Sequence, residues 1–268
     1  MPIAHHKFRK QSINNKKSLD LKSKIDYYKR ELLLTGVTVM LKKIISALMA
    51  VLMIFSAFSF AVSAKGKTIA NVQDAAKMCF QGELITIKKS TLYDGSKKVG
   101  TAYAIFLVGS NMQWDDSVNG LKTCVKSGMA KDNMYLDLLR ETAKKDIPKG
   151  SKVILVGHSL GGMVAQQFAA DTEMKERYEI LNTLTMGSPY IMTEECEGGL
   201  YRMVDSGDMV PYLSTAFFKN FSEGNYTRVD NGYFGRPADA HIKSYQLADS
   251  WCEYDCFGVK GGTNKIIF

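Results

Sequence analysis

The stretch Val153-Ile154-Leu155-Val156-Gly157-His158-Ser159-Leu160-Gly161-Gly162-Met163-Val164-Ala165 decides the fold. Four apolar, largely β-favouring residues end at Gly157, Ser159 stands at the centre of Gly-x-Ser-x-Gly, and an apolar helical run follows. The spacing has a steric reason. A serine at the tip of so tight a strand-to-helix turn takes a strained backbone conformation with its hydroxyl clear of the sheet. Side chains at Gly157 or Gly161 would collide there, and Gly162 lets the helix pack close to its strand. The pentapeptide alone recurs by chance; a buried strand before it and a helix after it make it a nucleophile elbow. The helix N-terminus then aims free N–H groups at the place where an oxyanion forms, with the backbone N–H of Leu160 the expected donor.

Working outward, the chain has 268 residues and a net charge of +8, which invites a nucleic-acid or anionic-membrane role. The distribution removes that reading. Of 35 Lys/Arg and 27 Asp/Glu, residues 1–64 hold 11 and 3, so residues 65–268 carry 24 of each. Met40-Leu41-Lys42-Lys43, the apolar run Ile44 to Phe60 and Ala61-Val62-Ser63-Ala64 have the three regions of a secretory signal peptide, with cleavage expected after Ala64. Residues 1–39 are lysine-rich and polar, and are expected to be an untranslated or disordered upstream extension. The expected localisation is secreted or extracytoplasmic, with no nucleic-acid partner and no integral membrane segment after cleavage.

Residues 65–268 suffice for one sizeable core. All five cysteines lie there: Cys79, Cys124, Cys196, Cys252 and Cys256. Export permits disulfides, and Cys252 and Cys256 are near enough to pair, with free buried thiols the equal alternative. No zinc-type spacing or histidine cluster accompanies them, and neither metal nor organic cofactor is expected.

The pattern predicts a helix over residues 65–81, strands over 83–89 and 99–108 about an Asp94-Gly95 turn, and a helix from Asp132 to Asp146. In that helix Asp132 is the expected cap and Met134, Leu138 and Leu139 the expected buried face. Two further strands, Ile180 to Met186 and Tyr201 to Val204, each close on a turn. Strands alternating with helices predict an α/β fold: a mostly parallel central sheet with helices on both faces.

A serine hydroxyl needs a base, and the base an acid to orient it. Past Ala64 only His158 and His241 remain. His158 leaves the elbow in another direction from Ser159, with packing or a hydrogen bond beside the turn its expected role. His241, expected on a loop entering a helix, is the candidate base. The acid should fall between Ser159 and His241, after a strand. Asp208 is the first choice and Asp205 the second, with a turn-capping role as its alternative; Asp230 and Asp239 are held in reserve. The second oxyanion donor should follow the earlier strand, at Ser110 in Gly109-Ser110-Asn111.

Several of these blocks, taken in order, resemble the class three, or fungal-type, lipases of the α/β-hydrolase fold. Val156 to Gly162 is similar to that family's elbow, and Thr185-Met186-Gly187-Ser188-Pro189 to its strand ending in Gly-Ser-Pro. Tyr201 to Val204 with Asp208-Met209-Val210-Pro211 resembles the acid-bearing Asp-x-Val-Pro turn, and His241 to Tyr245 the late histidine block. Val108-Gly109-Ser110 with Trp114-Asp115 is similar to the oxyanion loop, without the family's arginine. The resemblance implies hydrolysis of carboxylic esters, typically acylglycerols, without a cofactor. The apolar stretch Met209, Val210, Tyr212, Leu213, Phe217, Phe218 and Phe221 is expected either to line an acyl groove or lipid-facing rim, with transient lipid-interface contact, or to pack as core beneath a loop. The short segment between Ser110 and Asp132 leaves room only for a small lid. The competing readings are a soluble carboxylesterase or an acyltransferase on a non-lipid substrate, and a non-catalytic exported binding domain.

Overall fold

The structure is a computed structural model that describes residues 68–80, 83–191, 196–213, 225–247 and 264–267. All of these lie in the unit Phe55–Phe268. The segments 1–39 and 40–64, and the residues Cys252, Cys256, Phe217, Phe218 and Phe221, lie outside the described residues.

In chain order the elements are β1 (Thr68–Ile69), α1 (Val72–Cys79), β2 (Ile85–Asp94), β3 (Lys97–Leu107), α2 (Leu121–Gly128) and α3 (Met134–Asp146). β4 (Lys152–His158), α4 (Leu160–Ala170), α5 (Thr172–Arg177), β5 (Glu179–Met186) and β6 (Gly199–Asp205) follow. β7 (Asn225–Val229), α6 (Pro237–Lys243) and β8 (Asn264–Ile267) come last, with 3-10 turns at Val210–Leu213 and Ser244–Gln246. The strands form one sheet in the order β1-β8-β2-β3-β4-β5-β6-β7. Strands β3 to β7 pair parallel in succession. The β2/β3 hairpin and the β8 contacts with β1 and β2 are antiparallel. Because β3 to β7 run the same way, the loops after them all emerge at one edge of the sheet, the edge where Ser159 stands.

Alternation along the strands divides the core into two layers. Ile105, Leu107, Val153 and Leu155 face Tyr135, Leu136 and Leu139 of α3 and Leu160, Val164 and Phe168 of α4. Ala104, Phe106, Ile154, Val156, Leu184 and Met186 face Val72, Ala75, Ala76 and Cys79 of α1, together with Tyr245. Strands buried on both faces read as continuous apolar runs, as Val153 to Val156 does. Each Leu, Ile or Phe buried this way contributes about 1.5–3 kcal/mol.

Several local expectations change. The first helix is only α1, because Asn71 caps it by accepting from the Asp74 N–H at 3.0 Å, and Thr68–Ile69 is instead drawn into the sheet by β8. The cap of α3 is Asn133, whose Oδ1 accepts from the Tyr135 and Leu136 N–H groups, while Asp132 pairs with Arg140 at 3.0 Å. The buried face of that helix is Tyr135, Leu136, Leu139 and Ala143; Met134 and Leu138 are exposed. The segment after Ser110 contains α2, which the pattern did not predict. Among the described residues, Cys79, Cys124 and Cys196 are joined by no disulfide. No described helix is long and apolar enough to cross a membrane.

Candidate active site

Ser159 joins β4 to α4 with φ 54° and ψ −122°, outside the ordinary basins of an L-residue. Its backbone N–H donates to the Met186 carbonyl at 3.0 Å, which ties the bend to β5. The serine is half-buried, and its side chain does not cap the helix it starts. A Cβ at Gly157 would come within 2.4 Å of the Gly161 backbone, and one at Gly161 within 2.4 Å of the Leu107 carbonyl oxygen. Real Cβ atoms do not approach so closely, so both positions need glycine for the bend to exist. Leu160 is the first residue of α4, so its N–H has no acceptor within the helix.

The end of β3 passes directly over this turn. A Cβ built at Gly109 would lie 3.2 Å from Ser159 Cβ, so the chain leading into Ser110 passes beside the serine. The loop that carries it is tied to itself. Ser110 Oγ accepts from the Met112 N–H at 3.0 Å, and Asn119 Nδ2 donates to the Gly109 carbonyl at 3.2 Å. Asn111 Nδ2 donates to Ser117 Oγ at 2.9 Å, and Met112 takes a left-handed φ of 66° within the loop. The Cys124 thiol from α2 is pushed up to about 11 by burial, against a hydrogen bond from Ser110.

Asp208 and His241 meet across 33 residues of sequence: His241 Nδ1 lies 3.0 and 3.1 Å from the two oxygens of the Asp208 carboxylate, and both side chains are buried. A carboxylate accepts, so Nδ1 carries a proton, and in the neutral imidazole Nε2 is then the bare nitrogen, the form a general base requires. Asp208 is otherwise satisfied by the Val210 N–H at 2.9 Å and by the Tyr245 hydroxyl, which donates to Oδ2 at 2.7 Å. Tyr245 also accepts from the Asp205 N–H at 3.1 Å; burial, then the Asp208 charge, holds its phenol well above the usual range.

The other candidate acids are placed elsewhere. Asp205 is buried but spent on its turn, accepting from the Gly207 N–H at 2.7 Å, the Asn231 N–H at 3.2 Å and the Ser244 hydroxyl at 2.6 Å. Asp230 is exposed and accepts from the Gly232 N–H, and Asp239 pairs with Lys243 at 2.7 Å. His241 itself sits within α6, not on a loop before it; Pro237 at the first turn is the helix-start signal that marks this.

The sequence reading left three contributors without a role. Gly187, at φ 57°, turns the chain just past the Met186 carbonyl that holds Ser159. A Cβ there would lie 2.7 Å from Asp208 Oδ2, 2.9 Å from the Tyr245 ring and 3.1 Å from His241 Nδ1. Tyr245 was part of the histidine block but had no assigned partner. Gln166, in the apolar run of α4, is fully buried; its amide donates to the Pro189 carbonyl at 2.9 Å and accepts from the Ile191 N–H at 3.1 Å, pinning the loop after β5 to the elbow helix. The pair Gln166-Gln167 inside an otherwise apolar helix was the signal available for it. Among the described residues no cluster of His, Cys, Asp and Glu is arranged to hold a metal ion.

A serine on a strained strand-to-helix turn, in a mostly parallel sheet covered on both faces, with a buried Asp-His pair at the same edge, is the arrangement of the α/β-hydrolase fold. The family comparison agrees. Residues 92–218, from β2 to just past the acid turn, match the family model of the class 3 lipases. No curated protein matches the sequence. Among solved structures, one from Xanthomonas campestris pv. campestris assigned to the α/β hydrolase superfamily is 17% identical with a TM-score of 0.25, over 42% of this chain and 66% of its own. The Lip2 lipase of Yarrowia lipolytica is 16% identical with a TM-score of 0.27, over 55% of this chain and 66% of its own. The chain thus spans just under two thirds of the length of each.

Proposed function

We propose that this protein is a secreted serine hydrolase that cleaves carboxylic esters, with acylglycerol lipids as its substrate class. Ser159 Oγ attacks the ester carbonyl, and His241 Nε2 takes the serine proton and returns it to the leaving alcohol. Asp208 holds the imidazole and balances its charge when it is protonated. The N–H groups of Leu160 and Ser110 stabilise the oxyanion, and water then releases the acyl group. The observation that carries this reading is the buried Asp208–His241 contact at 3.0 Å on the edge where the strained Ser159 stands.

The lipid part of the reading draws on the rim of that edge. Trp114, Met209, Leu213 and Phe234 are exposed on loops following β3, β6 and β7, with Phe234 at 93%. Large apolar side chains left in water around a site of this kind fit transient contact with a lipid surface.

A fluorophosphonate probe tests the nucleophile: wild type is labelled, and Ser159→Ala and His241→Ala are not. Unlabelled wild type would favour a binding domain that kept the elbow without turnover. Nitrophenyl esters of increasing chain length, in solution and as emulsions, test the substrate class. A preference for longer chains and a gain at the emulsion interface are expected. Absence of both would leave a soluble esterase, and product analysis with an added alcohol acceptor would reveal an acyltransferase.

A further inference from the structure

The last residue of β4 before the elbow serine is a histidine buried to 2% exposure, and the reaction just described gives it no task. Its Nε2 lies 2.8 Å from the main-chain carbonyl of His241. A carbonyl only accepts, so Nε2 carries a proton and donates. His241 stands in the last turn of α6, where helix carbonyls lose their intrahelical partners as the chain tightens into the 3-10 turn Ser244–Gln246. The His158 ring also lies against the His241 ring, centroids 4.5 Å apart, and is backed by Phe80 at 4.4 Å and the edge of Tyr245 at 5.8 Å.

We propose that His158 is a positioning residue for the base: through its Nε2–H it staples the His241 backbone to the residue next to Ser159, and so sets the separation of nucleophile and base. The proposal rests on reading Ser159 and His241 as that pair. Asp208 holds the His241 side chain at Nδ1 alone and makes no bond to its main chain. The second tether, made to the main chain from the elbow itself, makes the base and the nucleophile parts of one rigid unit.

A histidine suits the task because it donates while remaining neutral. His241 gains a positive charge when it takes the serine proton, and a lysine or arginine at residue 158 would oppose that charge across 4.5 Å. The surroundings keep His158 neutral: burial first, then the His241 charge, hold it well below the ordinary histidine value. The groups that face it are His241 and Tyr245 from the C-terminal segment, Cys79 and Phe80 from α1 and its end, and the backbone of Gly109. The Cys79 thiol is itself pushed up to about 12 and is neutral. A Cβ at Gly109 would lie 3.2 Å from His158 Nδ1, so that nitrogen faces the Gly109 backbone.

The test compares His158→Leu, which removes the donor, with His158→Gln, which returns an amide N–H at similar reach. The readout is kcat and KM for p-nitrophenyl butyrate, with folding checked by circular dichroism. His158→Leu is expected to lower kcat about ten- to a hundredfold with KM within about twofold, as misplacement of a catalytic group does, and His158→Gln to recover most of the loss. A folded His158→Leu enzyme with wild-type kcat overturns the proposal, as does a folded His158→Gln enzyme no better than His158→Leu. Imidazole ¹⁵N spectra of the wild type decide the matter if the leucine variant does not fold. A neutral Nε2–H tautomer for His158 at pH 8 is expected, and an Nδ1–H tautomer overturns it. Ser159→Ala is the separating control. If that variant keeps turnover, the nucleophile reading fails and this inference with it; if it loses turnover while His158→Leu does not, only this inference fails.

Discussion

Replacing Gly187 by alanine separates the stability of this fold from the geometry of its site. Gly187 has φ 57°, and an L-residue in that left-handed region costs about 1–2 kcal/mol. Gly95, in the β2/β3 turn, has φ 60° with nothing within 4 Å of where a methyl would stand, so Gly95→Ala carries the same backbone cost and no collision. At Gly187 the new methyl would stand 2.7 Å from Asp208 Oδ2, 2.9 Å from Tyr245 and 3.1 Å from His241 Nδ1. Restoring an ordinary contact near 3.5 Å displaces the carboxylate by roughly 0.8 Å, enough to break its 3.0 Å bond to His241. Misplacement on that scale costs about 10²-fold in turnover. Both variants are therefore expected to lose about 1–2 kcal/mol or somewhat more in urea unfolding, while only Gly187→Ala loses about a hundredfold in kcat on p-nitrophenyl butyrate. A folded Gly187→Ala enzyme within about threefold of wild-type kcat would refute the reasoning, since it would mean the Asp208–His241 pair is not held where turnover depends on it.

Further outcomes follow from the same contacts. Tyr245→Phe removes the phenol that donates to Asp208 and accepts from the Asp205 N–H, so it should cost about 2–4 kcal/mol in urea unfolding, more than removal of one neutral hydrogen bond. Asn133→Ala should cost about 1 kcal/mol or more through loss of the α3 cap, whereas Asp132→Ala should stay within about 0.5 kcal/mol; equal losses would return the cap to Asp132. Because the His158 value is depressed in the folded state, both states hold it neutral above about pH 6.5, and below that only the unfolded chain takes up the proton. Stability should therefore fall on acidification, with this residue contributing about 1 kcal/mol of the loss between pH 6.5 and 5.5. Urea midpoints for His158→Gln should show a shallower fall over pH 6.5 to 5.5, and an unchanged slope would refute the assignment.

How much could be read from the chain before its structure depended on how local each signal was. The elbow was legible because its determinants sit within a few residues: a strand, two obligatory glycines and a helix start. The parallel sheet followed from the alternation of runs such as Val153 to Val156 with helical stretches. Cap and face in α3 were misjudged, because Asp132 and Asn133 are both good caps and the apolar residues of Met134 to Leu139 fall on more than one face. Only the packing of Tyr135 and Leu136 under β3 decides between them. β8 was not legible, since it is a four-residue strand that pairs with β2 some 170 residues earlier, and no local pattern encodes such a partner. At the site, the sequence offered Asp208 as first choice of acid and Asp205, with a turn-capping role as its alternative, as second. What distinguishes them is long-range: Ser244 and the Asn231 backbone take up Asp205, and the ring of His241 is brought to Asp208. Gly187 and Gln166 meet partners 20 or more residues away, which is why their residue types were visible and their tasks were not; for His158 the hydrogen bond beside the turn was expected, but not its partner 83 residues on.

The most direct test of the central claim is peptide mapping by mass spectrometry after reaction with a fluorophosphonate, with the rate of adduct formation followed in parallel. The account expects one adduct on Ser159 in the wild type and a rate lower by about 10³-fold or more in His241→Ala. An adduct on another residue, or a His241→Ala enzyme that reacts as fast as wild type, would contradict it.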